Sequence, residues 1–91
     1  MKVKLLEQAK NDLQEMDNSV YLDFIHHLRK ISEIPFQRHL KHGLPFYVEE
    51  AGQGRIIFTI DNDIISILRC FPIHKEYEKW YKQFKKMRDT F

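Results

Sequence analysis

The sequence has one cysteine, three glycines, three prolines and no long hydrophobic run. Its single cysteine, Cys70, has no partner for an internal disulfide, and a small domain without disulfides is typical of the cytoplasm. The small number of glycines and prolines excludes collagen-like and low-complexity chains. No apolar stretch reaches the ~20 residues of a membrane span, and residues 1–7 lack a signal-peptide core. We therefore expect a cytoplasmic protein without a membrane partner.

Enough hydrophobic side chains are present to form a core. The chain has 91 residues, of which 43% are hydrophobic and 13% aromatic, and this length fits one domain over residues 1–91. Cys70 lies within the apolar run of residues 67–71, so we expect a buried thiol that packs as a small hydrophobic side chain and not a nucleophile.

The first half of the sequence has the spacing of one short strand and two helices. Apolar and basic side chains alternate over residues 2–5, which favours a strand. Apolar side chains then recur every three or four residues within residues 7–17 and again over residues 20–34, as on one face of a helix. The polar residues 17–19 separate the two helices, and Pro35 ends the second one. This pattern predicts a helical hairpin.

In the second half the hydrophobic period changes to that of strands. Residues 44–49, 55–60 and 64–71 are rich in β-branched and aromatic side chains, and turns at residues 51–54 and 61–63 connect them. The third of these strands is apolar on both faces, as in the centre of a sheet. We therefore expect an α+β domain, in which the N-terminal helical hairpin packs on a small, mostly antiparallel, curved sheet that is followed by a C-terminal helix.

The predicted C-terminal helix, residues 74–87, combines an aromatic stripe with a basic face. We interpret the stripe chiefly as core, and its members are Tyr77, Trp80, Tyr81, Phe84 and Met87. Residues 74–88 also carry six Lys or Arg side chains and two acidic ones, and residues 36–43 are basic without any acid. The near-neutral total of fifteen Lys and Arg against thirteen Asp and Glu thus hides two basic regions, which are either solvated or bind nucleic acid.

Several classes of site are absent from the sequence. The three glycines do not form a phosphate-binding loop, and one cysteine cannot supply a zinc site based on cysteine pairs. His39 and His42 form a close pair, but without cysteine or aspartate nearby they favour a solvated or nucleic-acid-facing pair over a metal site. We therefore expect neither a metal nor a cofactor.

The basic and aromatic side chains of the second half are the remaining candidates for chemistry. Arg55 begins a predicted strand, and Arg69 interrupts an otherwise apolar one. A charge on a central strand is costly unless it is paired or faces water, so Arg69 either pairs with an acidic side chain or belongs to a site. Arg55 has the corresponding alternatives of an exposed charge and a site residue. His74, Lys75 and Tyr77 follow at the junction of sheet and helix.

These residues stand in an order that resembles the RelE/ParE family of bacterial and archaeal toxins. Residues 43–60 resemble two adjacent strands of that family, with Arg55 at the start of the second, and residues 61–69 resemble its acidic turn and next strand. A His-Lys-x-Tyr cluster follows at residues 74–77, and residues 9–13 have the Ala-x-x-Asp-Leu pattern of its first helix. The resemblance spans residues 1–81.

The resemblance implies a compact toxin fold and a place in a type II toxin–antitoxin pair, in which a small cognate antitoxin wraps and neutralises the toxin. RelE-like members cleave mRNA on the ribosome without a metal and so inhibit translation, whereas ParE-like members inhibit DNA gyrase. A non-catalytic homologue that binds protein or RNA is a third alternative. We expect the first, a ribosome-dependent endoribonuclease whose further partners are the ribosome and mRNA.

The resemblance also implies roles for individual residues. Arg55 matches the arginine that contacts phosphate, and Arg69 corresponds to a second basic position of the catalytic set. His74 and Tyr77 fall in the region that supplies a general acid or base and an aromatic ring that stacks on a base, a role for which Tyr81 qualifies equally. RNA-binding side chains are then expected at Arg38, Lys41, Lys75, Lys79 and Tyr81.

Overall fold

The strands and helices follow the predicted order along the chain. The structure is a computed structural model that describes residues 2–33 and 46–90, with the backbone alone at residues 84, 85 and 87–90. The described elements are β1 (Lys2–Leu5), α1 (Glu7–Gln14), α2 (Asn18–Glu33), β2 (Tyr47–Ala51), β3 (Gly54–Asp61), β4 (Ile64–Phe71) and α3 (His74–Thr90). The basic stretch at residues 36–43, with its histidine pair, lies outside the described residues. None of the described helices is long and apolar enough to cross a membrane.

The four strands form one mixed sheet in the order β1-β4-β3-β2. β2 pairs with β3 and β3 with β4 in antiparallel orientation, whereas β1 pairs in parallel with β4. A parallel pair needs a long crossover, and here every element from α1 to β3 lies between the two strands in the sequence. The predicted α+β class and the central position of the strand over residues 64–71 are confirmed.

Helices cover both faces of the sheet. α1 and α2 pack on one face, in a buried cluster that includes Leu13 of α1, Phe24 of α2 and Phe58 of β3. α3 packs on the other face, where Tyr77 joins Ile57 in a second cluster. Successive residues of a strand point to opposite faces, which is why the neighbours Ile57 and Phe58 belong to different clusters. The helical hairpin and the last helix therefore lie on opposite sides of the sheet, a division that the sequence pattern did not reveal.

The aromatic stripe of α3 packs in the core as predicted. Tyr77 is buried, while Trp80 and Tyr81 are partly buried against the same cluster. The ring centroid of Trp80 lies 5.2 Å from that of Phe46 and 5.7 Å from that of Phe71. Aromatic contacts of this kind hold α3 on the sheet. The last two members of the stripe lie outside the described side chains.

A β-bulge in β4 changes which residues face each side. Two neighbouring residues of β3 are opposite Arg69 and Ile67, so Leu68 is an extra residue in β4. Because the alternation shifts at the bulge, Ile67 and Cys70 both belong to the cluster under α1 and α2, whereas Leu68 and Phe71 pack under α3. The bulge thus explains why apolar residues follow one another here without strict alternation.

The start of β3 passes very close to α2. A methyl group placed on Gly54 would lie 2.8 Å from Cε1 of Phe24 and 2.7 Å from the carbonyl oxygen of Phe71. Cβ atoms do not approach other atoms so closely, so any larger residue at this position requires its neighbours to move. Gly54 therefore allows α2 and β4 to approach the start of β3.

Replacing Gly54 with alanine is expected to destabilise the protein by about 1–3 kcal/mol, because the added methyl group overpacks the contact with Phe24. In a small domain each kcal/mol lost lowers the melting temperature by about 4–8 °C. Gln53→Ala, at the neighbouring exposed turn position, is the control and should change stability by less than about 0.5 kcal/mol. The melting temperatures are measured by circular dichroism, and equal values for the two variants would contradict the close packing.

Candidate functional site

Arg69 forms a bidentate ion pair with α1. Its Nε and Nη2 donate hydrogen bonds of 2.8 and 3.0 Å to the two carboxylate oxygens of Asp12. The backbone N–H of Cys70 donates a further hydrogen bond of 2.9 Å to the same carboxylate. The hydrogen bond to Asp12 raises the pKa of Arg69 above its already high value. The expected acidic partner of Arg69 is therefore Asp12.

The position of this pair follows from the short length of β1. β1 pairs with β4 only as far as Ile67, whose carbonyl accepts a final hydrogen bond from the N–H of Leu6. Beyond that point no described strand continues the pairing on this side, and a buried backbone N–H without a partner is costly. Asp12 supplies the missing acceptor for the N–H of Cys70, and α1 is thereby fixed across the end of β4.

Phe71, at the end of β4, connects both arginines with α3. The guanidinium carbon of Arg69 lies 4.7 Å from the centre of the Phe71 ring, which is a cation–π contact. Arg55 is directly opposite Phe71 in the register of β3 and β4, and the ring centroids of Phe71 and Tyr77 are 6.3 Å apart. Sequence reasoning missed Phe71, because one more apolar residue in an apolar strand carries no signal of a site.

Arg55 lies at the start of β3, and its guanidinium turns back over the β2–β3 turn. Nη1 donates hydrogen bonds to the backbone carbonyls of Gly54, at 2.7 Å, and Gly52, at 3.4 Å. Nη2 lies 3.7 Å from Oε1 of Glu50, and the side chains of Arg55 and Glu50 are 16% and 74% exposed, so this ion pair is long and its carboxylate is mostly in solvent, which makes it weak. The turn therefore positions Arg55, and an incoming anion competes with a weak partner. Sequence reasoning did not pair Glu50 with Arg55, although the two residues flank the predicted turn at residues 51–54.

His74, Tyr77 and Tyr81 follow one another along the first turns of α3. The ring centroids of His74 and Tyr77 are 5.8 Å apart, and the rings of Tyr77 and Tyr81 are stacked at 6.1 Å. His74 is exposed, and its Nδ1 lies 3.4 Å from Oε1 of Glu78, one turn further along the helix. Burial raises the pKa of the Tyr77 phenol, and the charge of Arg55 acts against this rise. Arg55 is linked to the start of α3 through Phe71, which is opposite Arg55 in the sheet and contacts the ring of Tyr77.

The two candidate tyrosines differ in depth. Tyr77 is only 5% exposed and is packed between α3 and the sheet, whereas Tyr81 is partly exposed. A ring that stacks on a base must offer an open face to it, which suits Tyr81 better than Tyr77. Tyr77 instead supports the ring of Tyr81.

The exposed lysines of α3 form a stripe along one side of the helix. Lys75 and Lys79 begin it, and Lys82 and Lys86 continue it at spacings of three and four residues. The stripe begins next to His74 and extends along α3. Two further candidates for RNA binding, Arg38 and Lys41, lie outside the described residues.

The overall architecture matches solved toxin structures. The isolated RelE toxin of E. coli superposes with a TM-score of 0.67 at 12% identity, over 91% of this chain and 97% of that one. The toxin–antitoxin complex RelBE2 of Mycobacterium tuberculosis gives 0.67 at 19% identity, over 76% of this chain and 86% of its own. The RelE–RelB complex of Pyrococcus horikoshii gives 0.62 at 24% identity, over 80% and 94%. The chain has the fold of the RelE toxins.

Sequence comparison alone does not reach this conclusion. No protein-family model matches the chain, and no curated protein matches its sequence. The resemblance to RelE that was inferred from residues 1–81 is confirmed in the fold. Because proteins with the same fold can have different functions, the roles of Arg55, Arg69, His74 and the two tyrosines stay predictions.

Cys70 lies beside the site but is not available for chemistry. Its side chain is 1% exposed, and burial raises the pKa of its thiol to about 12. The thiolate is the reactive form, so a thiol with this pKa is inert near neutral pH. The expected buried thiol is therefore observed within the RelE fold.

Asp12→Ala is expected to destabilise the protein by about 2–3 kcal/mol, because it leaves the charge of Arg69 and the N–H of Cys70 without their acceptor. Asp12→Asn keeps one acceptor oxygen and should cost less. Asn11→Ala, an exposed neighbour on α1, is the control and should stay within about 0.5 kcal/mol of the wild type. The measurement is urea unfolding followed by circular dichroism. If Asp12→Ala and Asn11→Ala unfold at the same urea concentration, the pair does not hold α1 to β4.

The stability of the protein should fall above pH 9 in part because of Cys70. The thiol ionises near pH 8.5 in the unfolded chain but only near pH 12 in the folded one, so the folded state binds more protons between these values. Between pH 8 and pH 10 this lowers the free energy of unfolding by about 1–2 kcal/mol. This effect is measured by urea unfolding of the wild type and of Cys70→Ala at both pH values. The difference in the free energy of unfolding between the two proteins should be smaller at pH 10 than at pH 8. Parallel pH profiles would show that the thiol ionises alike in both states.

Proposed function

We propose that this chain is the toxin of a type II toxin–antitoxin pair and cleaves mRNA on the ribosome. The observation that carries this proposal is the series of contacts that joins Arg55, opposite Phe71, with Tyr77 and through Tyr77 with His74 and Tyr81, on a protein with the RelE fold. A cation for the phosphate, a side chain that exchanges protons and an aromatic ring that is partly exposed are groups that RNA cleavage uses. The matched RelBE2 and RelBE structures are toxin–antitoxin complexes, which supports a cognate antitoxin as partner.

The proposed reaction is attack of a ribose 2′-oxygen on the adjacent phosphorus. The O2′–P bond forms while the P–O5′ bond breaks, which leaves a 2′,3′-cyclic phosphate on one product and a 5′-hydroxyl on the other. The 2′-hydroxyl loses its proton to a base, and the 5′-oxygen gains one from an acid. Arg55 stabilises the negative charge on the phosphorane through its planar guanidinium, after the phosphate has replaced Glu50.

His74 is the group proposed to move a proton. It is exposed at the start of α3, and its imidazole ring has two nitrogens, of which one can donate and the other can accept a proton. When Nδ1–H donates to Glu78, Nε2 is left to face substrate. Glu78 then acts as a positioning residue that selects the tautomer of His74.

The other candidates receive supporting roles. Tyr81 stacks on a base of the mRNA, and Tyr77 supports it from below. Arg69, already bound to Asp12, positions Phe71 and the end of β4 and does not itself contact phosphate. Lys75 and Lys79 attract the phosphates of the RNA backbone, and we propose Arg38 and Lys41 as further contacts with these phosphates.

The experiment is induced expression in a bacterial host with amino-acid incorporation and primer extension on ribosome-bound mRNA as readouts. The wild type should stop incorporation and produce discrete mRNA ends. Arg55→Ala and His74→Ala should each lower cleavage by about 10²–10⁴-fold, because each removes a group that acts in the transition state.

Matched controls are available on α2, away from the site. Arg29→Ala and His26→Ala remove exposed side chains of the same two types and should leave cleavage within about twofold of the wild type. Full cleavage by the Arg55→Ala, His74→Ala double variant overturns the site. A DNA-damage response with intact translation indicates a gyrase-directed toxin, and unchanged growth indicates a binding protein; either result overturns the proposed activity.

A further inference from the structure

A groove next to the candidate site has the opposite charge. It lies between the α1–α2 connection, the β2–β3 turn and the junction of β4 with α3, and it has a volume of about 600 Å³. Its apolar lining comes from the α1–α2 connection, from α2 and from the junction, and includes Met16, Val20, Phe24, Pro72 and Ile73. Ile73 is 43% exposed, which leaves a large aliphatic side chain open to a ligand. The groove therefore offers a hydrophobic contact area in addition to its charges.

Three carboxylates border this apolar surface. Glu15, Asp17 and Asp23 line the groove and are exposed, and no lysine, arginine or histidine lines it among the described residues. Glu15 also belongs to an adjoining cavity of about 360 Å³, which Glu76 and the ion pair of Asp12 with Arg69 line as well. The groove itself is thus acidic, although the net charge of the protein is +2.

The groove and the proposed RNA site share a border. Gly52 lines the groove and its carbonyl oxygen accepts a hydrogen bond from Arg55, while Ile73 directly precedes His74. Phosphate groups are repelled by the carboxylates of the groove, so RNA on the Arg55 side does not continue into it. The two neighbouring surfaces therefore suit different partners.

We propose that the groove binds a short extended segment of a partner protein that carries lysine or arginine side chains around one apolar side chain. The apolar side chain packs on Val20 and Ile73, and the cations pair with the bordering carboxylates. A volume of about 600 Å³ lies within the range of small-ligand pockets, so the groove suits only a short segment. The proposal does not depend on RNA cleavage, since it rests on the shape and charge of a different surface.

The test uses the folded full chain and a fluorescein-labelled heptapeptide, Lys-Arg-Gly-Leu-Gly-Arg-Lys. Two control peptides separate charge from the apolar contact: one has glutamate at all four cationic positions, and one has glycine in place of leucine. Fluorescence anisotropy at low salt should show about tenfold weaker binding of either control peptide. Binding of the acidic peptide as tight as that of the basic one overturns the proposal.

Charge-reversal variants locate the binding. Glu15→Lys with Asp23→Lys should weaken binding of the leucine peptide at least about tenfold. Asp61→Lys with Asp63→Lys changes the net charge equally at the exposed β3–β4 turn and should change binding less than about twofold. Circular dichroism checks that both double variants are folded. An equal loss in both would show that the peptide responds only to net charge, and this outcome overturns the proposal.

Amide chemical shifts of the ¹⁵N-labelled wild type give a second, independent readout. The leucine peptide should shift the amides of residues 19–24 and 52–53 and leave those of residues 61–64 unchanged. A uridine hexamer is the probe for RNA. If it shifts the same amides as the peptide, the groove is part of the RNA-binding surface. Concentration-dependent shifts at these amides without any peptide would identify a second copy as the occupant. Either result overturns a cationic peptide as the ligand.

Discussion

The carboxylate of Asp12 joins parts of the chain that are 57 and 58 residues apart. It is needed because β1 is too short to cover the whole edge of β4, so a helix side chain accepts the hydrogen bond that a strand carbonyl would otherwise accept. The same carboxylate fixes Arg69, which lies on the ring of Phe71, and Phe71 in turn contacts α3. Helix α1 on one face of the sheet is thus connected with α3 on the other, although no candidate site residue lies in α1.

The elements of the fold were predictable from hydrophobic spacing, because each has a period of its own. The 3–4 spacing in the first half, the strand-like segments in the middle and the aromatic stripe at the end all correspond to observed elements. The distribution of helices over the two faces was not predictable, since an apolar face of a helix fits either side of a sheet. The bulge at Leu68 was equally invisible, because an extra apolar residue in an apolar strand leaves the pattern unchanged.

The candidate site could be predicted in composition but not in arrangement. Residue type alone marked Arg55 and His74, and the cost of a charge on a central strand marked Arg69. The partner of Arg69 lies 57 residues away, so local spacing carries no information about it. Tyr77 and Tyr81 are four residues apart and share one face of a helix, and only the depth of packing distinguishes the buried ring of Tyr77 from the partly exposed ring of Tyr81. Net charge was the least informative number, because acidic and basic surfaces cancel within it.

The parallel pairing of β1 with β4 also bears on how the protein folds. Lys2 is opposite Ile64, so the pairing of β1 with β4 closes a loop of about sixty residues. In contrast, β2, β3 and β4 are joined by short turns. Local strand pairing is therefore expected to precede the docking of β1, with α1 following because it is next in the chain. In that order the carboxylate of α1 reaches the end of β4 late, and the arginine beside it takes its final position only when the rest of the sheet has formed.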